Sequence, residues 1–159
     1  MKYYLIYNFN IFSLNYSKSF IEVIMAFINW NDSLNVNVEK FDSQHQKLID
    51  IVNQLFDAMS EGKGNEVLND VFEGLLNYTK THFASEEEAM HQYNYPKMEF
   101  HKIEHNDLTK QAIELHEKFK SGQATISVPV LNFLRSWLNN HILSSDKEFG
   151  EYLNSIGVK

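Results

Sequence analysis

The sequence predicts an all-α fold, an up-down-up-down antiparallel four-helix bundle, on three observations. Apolar residues recur at helical spacing in four separate stretches. No segment shows the alternation of a half-buried strand. The breaks between the longer stretches are about five to eight residues, so successive helices should run antiparallel. The chain has 159 residues and is 43% hydrophobic, which is one domain's worth with enough apolar material for one packed core.

Residues 1–25, MKYYLIYNFNIFSLNYSKSFIEVIM, stand apart. They are rich in Tyr, Phe, Ile and Asn without helical period. Asn8, Asn10 and Asn15 interrupt any signal-peptide core, and no small-x-small cleavage site follows. They are expected to be an N-terminal extension, or sequence upstream of a true start at Met25, so that the domain covers 26–159.

The first helix is expected to open near Asp42 as N-cap, with Leu48, Ile49, Val52, Leu55, Phe56 and Met59 on one face. EGKGN ends it. The second runs from about Glu66 to His91, and Val67, Val71, Leu75, Tyr78, His82, Glu86 and Met90 form its stripe. YNYP ends that one, with Pro96 suited to the first turn of the third. The third carries His101, His105, Leu108, Ala112, Leu115 and Phe119 inward, and KSGQATIS closes it. The fourth starts near Pro129 with Val130, Leu134, Trp137 and His141 along one row; Ile142, Asp146, Phe149 and Leu153 form the neighbouring row.

Composition excludes several functions. The net charge is −7 and the basic residues are scattered, whereas nucleic-acid binding leaves a basic patch. No uninterrupted apolar run reaches the ~18 residues of a membrane span. Cysteine is absent, which removes disulfides, thiolate zinc sites and iron–sulfur clusters. Any metal must be held by imidazole and carboxylate. A cytoplasmic location is expected.

The histidines carry the chemistry. Of the seven, His45, His82, His101, His105 and His141 fall on apolar faces, at least one from each helix, while His91 and His116 read as surface or helix-end residues. One inward histidine is usually a hydrogen-bonded core residue. Several together without a shared purpose would be costly to bury. His101 and His105 are spaced i,i+4, one turn of ~5.4 Å, so both rings can reach one ion. His82 and Glu86 have the same spacing. His141 and Asp146 are i,i+5, about 140° apart on an α-helical wheel, and periodicity alone does not align them. The seven groups are too many for one ion and suit two if the carboxylates bridge. Nitrogen and oxygen donors without sulfur suit iron, manganese or zinc.

FDSQH (41–45), HFASEEEAM (82–90), YPKMEFHKIEH (95–105) and WLNNHILSSD (137–146) together resemble the hemerythrin family, in its order and over about four-fifths of the chain. The four-helix bundle is that family's fold, and myohemerythrin is a standing example of the up-down topology. The resemblance implies two non-haem irons (Fe2+/Fe3+) with an oxo or hydroxo bridge. His101, His105 and His141 would bind one iron and His45 and His82 the other, with Glu86 and Asp146 bridging. It also implies reversible dioxygen binding for storage, delivery or sensing, in an apolar pocket to which Trp137 and Leu138 would contribute; Phe83 reads as plain packing. No catalytic residue is implied. The alternative is a di-iron enzyme reducing O2, peroxide or nitric oxide, or an iron-handling repair protein. Ferritin-like sites need paired Glu-x-x-His motifs, and EAMH from Glu88 has no partner. The family's single-domain members imply a monomer that binds dioxygen and leave room for a redox or signalling partner.

Overall fold

The structure is a computed structural model, and it describes residues 27–122 and 127–159. The expected extension at 1–25 lies outside the described residues. Three long helices come first: α1 (Glu39–Ser60), α2 (Leu68–Gln92) and α3 (Met98–Lys120). The fourth bundle helix is composite. It is α-helical over Ser127–Trp137 (α4), π-helical over Leu138–Asp146, and α-helical again over Lys147–Ser155 (α5). A 3-10 turn, Asp32–Leu34, precedes α1, and no strand occurs among the described residues. Helix α2 packs against both α1 and α3, and α4 closes the bundle against α1.

The breaks work through backbone geometry. After α1, Gly62 takes φ +75°, and Lys63 N–H reaches back to the Ala58 carbonyl at 2.7 Å. This six-to-one bond ends a helix on a left-handed residue, which glycine adopts at least cost. YNYP repeats the device with Asn94 at φ 55° and Tyr95 N–H donating to the Met90 carbonyl at 2.9 Å.

Three boundaries differ from expectation. Asp42 is not the N-cap of α1, which opens at Glu39; the Asp42 carboxylate instead accepts the Val36 N–H at 2.7 Å and ties the incoming loop to the helix. Hydrogen bonding to that loop won over capping. Helix α2 starts at Leu68 rather than about Glu66, and Pro96 sits in the turn ahead of α3. The third difference is the π stretch. The periodicity predicts an unbroken α-helix through 138–146, and the segment is π-helical instead.

Two apolar clusters divide the interior. The larger joins α1, α2 and α4 through Leu48, Val52, Leu55, Val71, Phe72, Leu75, Leu134 and Trp137, among others. The smaller gathers Val36, Val38, Phe41, Met90, Tyr95, Phe149 and Leu153 at the end where the N-terminal loop meets α5. That contact is close: a Cβ on Gly150 would collide with the Val36 carbonyl, so only glycine fits. Between the clusters lies a polar layer.

Candidate metal centre

The polar layer contains all seven residues expected as metal ligands. His45 comes from α1, His82 and Glu86 from α2, His101 and His105 from α3, and His141 and Asp146 from the π stretch. Every one is buried, none more than 3% exposed. Their donor atoms form two groups, each with its atoms within 4.8 Å of one another: Glu86, His101, His105, His141 and Asp146 in one, and His45, His82, Glu86 and Asp146 in the other. Glu86 and Asp146 belong to both.

The carboxylates face both ways. Asp146 Oδ1 lies 3.0 Å from His101 Nε2 and 3.2 Å from His141 Nε2, while its Oδ2 lies 3.2 Å from His45 Nε2 and 3.9 Å from His82 Nε2. Glu86 Oε2 is 3.2 Å from His105 Nε2, 3.6 Å from His101 Nε2 and 3.5 Å from His82 Nε2. One oxygen of the aspartate thus serves each histidine set, and one oxygen of the glutamate touches both.

The π stretch makes this arrangement reachable. Its bonds run from residue i to i+5 and widen the turn, so that i+5 falls beneath i; the Lys147 N–H closing on the Ile142 carbonyl is such a bond. His141 and Asp146, misaligned on an α-helix, come onto one face.

The outer ring nitrogens are held by residues that the sequence analysis did not single out. His82 Nδ1 donates to Gln44 Oε1 at 2.9 Å, His105 Nδ1 to Glu87 Oε1 at 3.1 Å, and His141 Nδ1 to Glu104 Oε2 at 2.9 Å. An acceptor on Nδ1 fixes the tautomer and leaves the Nε2 lone pair pointing into the centre. The only sequence signal was adjacency: Gln44, Glu87 and Glu104 each neighbour a core residue of their own helix.

The inward atoms lack partners. His45 Nε2, His82 Nε2, His101 Nε2, His141 Nε2, Glu86 Oε1 and both Asp146 oxygens are buried without a hydrogen bond. An unsatisfied buried polar atom costs about 1–3 kcal/mol, and here they cluster and converge. Nitrogen and carboxylate oxygen lone pairs in two sets sharing two bridging carboxylates fit a pair of borderline divalent ions. Electrostatics agree. Burial and mutual repulsion disfavour charge on Glu86, yet His82, His101 and His105 hold its pKa below the usual range; Asp146 is held low against burial by His141, His101, His45 and His82. Burial opposes a proton on His101, but Asp146 and Glu86 outweigh it and push the ring's pKa up to about 10. The buried carboxylates and imidazole nitrogens together favour a bound cation.

Aromatic rings enclose the site. Phe83, expected to be plain packing, stacks on His105 with ring centres 3.8 Å apart and leans on Trp137 at 5.3 Å. Tyr78 stacks on His82 at 4.8 Å; its hydroxyl is buried without a partner, and burial, with Asp146 and Glu86 nearby, raises its pKa well above the ordinary value. Trp137 and Leu138 are buried. Trp137 and His141 border a cleft of about 270 Å³ that also touches Glu104, Leu108 and Phe133, while Leu138 packs in the larger apolar cluster. His91 is exposed as expected, but His116 is half-buried and stacks on Phe72 at 4.8 Å, because the bundle end there offers an aromatic face.

Comparison with known proteins agrees with the geometry. The family profile described as Hemerythrin HHE cation binding domain matches residues 36–153. The bacteriohemerythrin of Methylococcus capsulatus is 34% identical over 132 residues, covering 82% of this chain and 100% of the relative. That of Stenotrophomonas maltophilia is 31% identical over 131 residues, covering 82% and 84%. A crystal structure of wild-type hemerythrin superposes with a TM-score of 0.70 at 33% identity, covering 78% of this chain and 95% of that one. A profile match across most of the chain, relatives more than 30% identical over most of their length and a shared bundle fold make the chain a member of the hemerythrin family.

Proposed function

We propose that this protein binds dioxygen reversibly at a pair of non-haem irons. His101, His105 and His141 would hold one, His45 and His82 would hold the other, and Glu86 and Asp146 would be shared between them. The observation that carries this reading is the division of the donor atoms into two sets that share only the two carboxylates. The irons supply electrons that can be lent to dioxygen and taken back. The chain's own residues decide where that happens and keep it reversible. The set of His45 and His82 offers fewer protein donors than the set of His101, His105 and His141, and would leave more room for a further ligand beside Tyr78. Gln44 holds the His82 ring in place, and Trp137 and Leu138 supply apolar wall that keeps water and protons away. Family membership supports this reading over an oxygen-reducing enzyme.

We further propose a cytoplasmic monomer. The absence of cysteine is compatible with a reducing compartment, and no described helix is long and apolar enough to cross a membrane.

The decisive experiment measures metal content and absorption spectrum together. Protein produced with iron available should hold two irons per chain and show a visible band that appears with O2 and disappears on degassing, over repeated cycles. Zinc in place of iron, or a single irreversible bleaching, would overturn the assignment.

A further inference from the structure

Gln44, Glu87 and Glu104 follow one rule. Each sits beside a core residue of its own helix (His45, Glu86 and His105) and accepts from a histidine of the next helix round the bundle. A step of one residue turns an α-helix by about 100°, from the core to the seam with a neighbour. Because the helices alternate in direction, the seam on the same rotational side is reached from the preceding residue in α1 and α3 and from the following one in α2. By this rule, the residue after His141 should serve His45. That residue is Ile142, which is buried and apolar, and His45 Nδ1 has no hydrogen-bond partner. For His82, His105, His141 and His45 the outer ring therefore reads amide, carboxylate, carboxylate, gap, and His101 Nδ1 likewise has no such acceptor.

The distribution is lopsided. Both carboxylates support the set of His101, His105 and His141. The set of His45 and His82 receives one neutral amide, itself oriented by Gln44 Nε2 donating to Ser85 Oγ at 3.3 Å. A carboxylate drawing on the Nδ1 proton makes the imidazole a stronger donor through Nε2, whereas an amide does so weakly. A metal held by stronger donors gives up an electron more readily.

Resting on the di-iron reading, we propose that Glu87 and Glu104 are positioning residues that polarise the pair. They make the iron of His101, His105 and His141 the first to be oxidised, and leave the iron of His45 and His82 the electron-poorer partner. Removal of one electron by an outer-sphere oxidant such as ferricyanide, itself reduced to ferrocyanide, then leaves Fe3+ in the three-histidine set and Fe2+ in the two-histidine set. The ferrous ion is retained in the set with fewer protein donors.

The test is spectroelectrochemical titration of the iron-loaded protein, with Mössbauer spectra of the one-electron-oxidised form. Glu104→Gln preserves shape and acceptor while removing charge, and this side chain is 47% exposed, so folding is not at stake. It should keep both irons and disfavour the first oxidation about tenfold, ~59 mV for one electron. Gln44→Glu should ease oxidation of the other iron by a similar factor and narrow the gap between the two steps. Asp107→Asn, which removes a carboxylate from the same cleft without touching a histidine of the centre, is the control and should move neither step. Unchanged potentials in both Glu104→Gln and Gln44→Glu with both irons retained, or an equal shift in Asp107→Asn, would overturn the proposal. A wild-type protein that takes up no iron would overturn the di-iron reading itself.

Discussion

Glu86 and Glu88 are two positions apart, about 200° of helix, and their environments are opposite: one carboxylate is fully buried among imidazoles, the other exposed to solvent. Replacing Glu86 with alanine should lower the bound iron well below two per chain, because both sets lose a shared donor. Glu88→Gln should leave iron content unchanged and move stability by no more than about 0.5 kcal/mol, as expected of a surface residue. Elemental analysis and urea melts of the two variants check this, and equal iron in both would remove Glu86 from the centre. At this scale the sequence was legible where a rule of helical spacing applied. Glu86 lies one turn beyond His82 and had to share its face. Glu87 was not legible in the same way: one residue round the helix is a seam, and whether a seam residue meets water or a neighbouring ring depends on the helix packed there. It meets His105. Gln44 and Glu104 escaped for the same reason, and Phe83, next to His82, could not be distinguished from packing until His105 lay against it.

At the scale of the element, the π stretch is the informative departure. An i,i+5 pair has no place on an α-helical stripe, and the backbone that carries this pair is π-helical. A π segment amounts to one extra residue accommodated within an α-helix, at some cost in backbone geometry. Deleting the exposed Ser144 should remove that residue, return the segment to α-helix and leave His141 and Asp146 at i,i+4 on one face, with α5 still in phase. The variant should fold with unchanged helical circular dichroism and still bind two irons per chain. Loss of both would show that the wider turn shapes the site in a way that face alignment alone does not capture. The helix ends were partly legible. EGKGN and YNYP are readable as breaks from their glycine, asparagine and proline, but the start of α1 is not, because Asp42 accepts from the Val36 N–H, which is near only in the folded chain.

For the whole molecule, the polar layer sits between two apolar clusters as a destabilising slab that needs a cation to become favourable. Removing iron should therefore weaken the entire bundle. With free metal at about a hundredfold its dissociation constant, each site contributes about 2.7 kcal/mol. For a domain of this size, two such sites correspond to a fall in Tm of roughly 10–20 °C on chelation under reducing conditions. Differential scanning calorimetry with and without metal measures it, and an unchanged Tm would mean that the buried groups are satisfied without ions.

The sequence by itself determined the number and order of the helices, which face of each turns inward, and that histidines and carboxylates share those faces. All of these follow from the 3.6-residue period, a property of the chain that needs no neighbour. Tertiary structure alone decided the i,i+5 register, the division of the donors into two sets sharing Glu86 and Asp146, and the ring of outer acceptors broken at His45. Each depends on which helix lies beside which and at what height. That is settled by packing the two apolar clusters, and no period within a single helix encodes it.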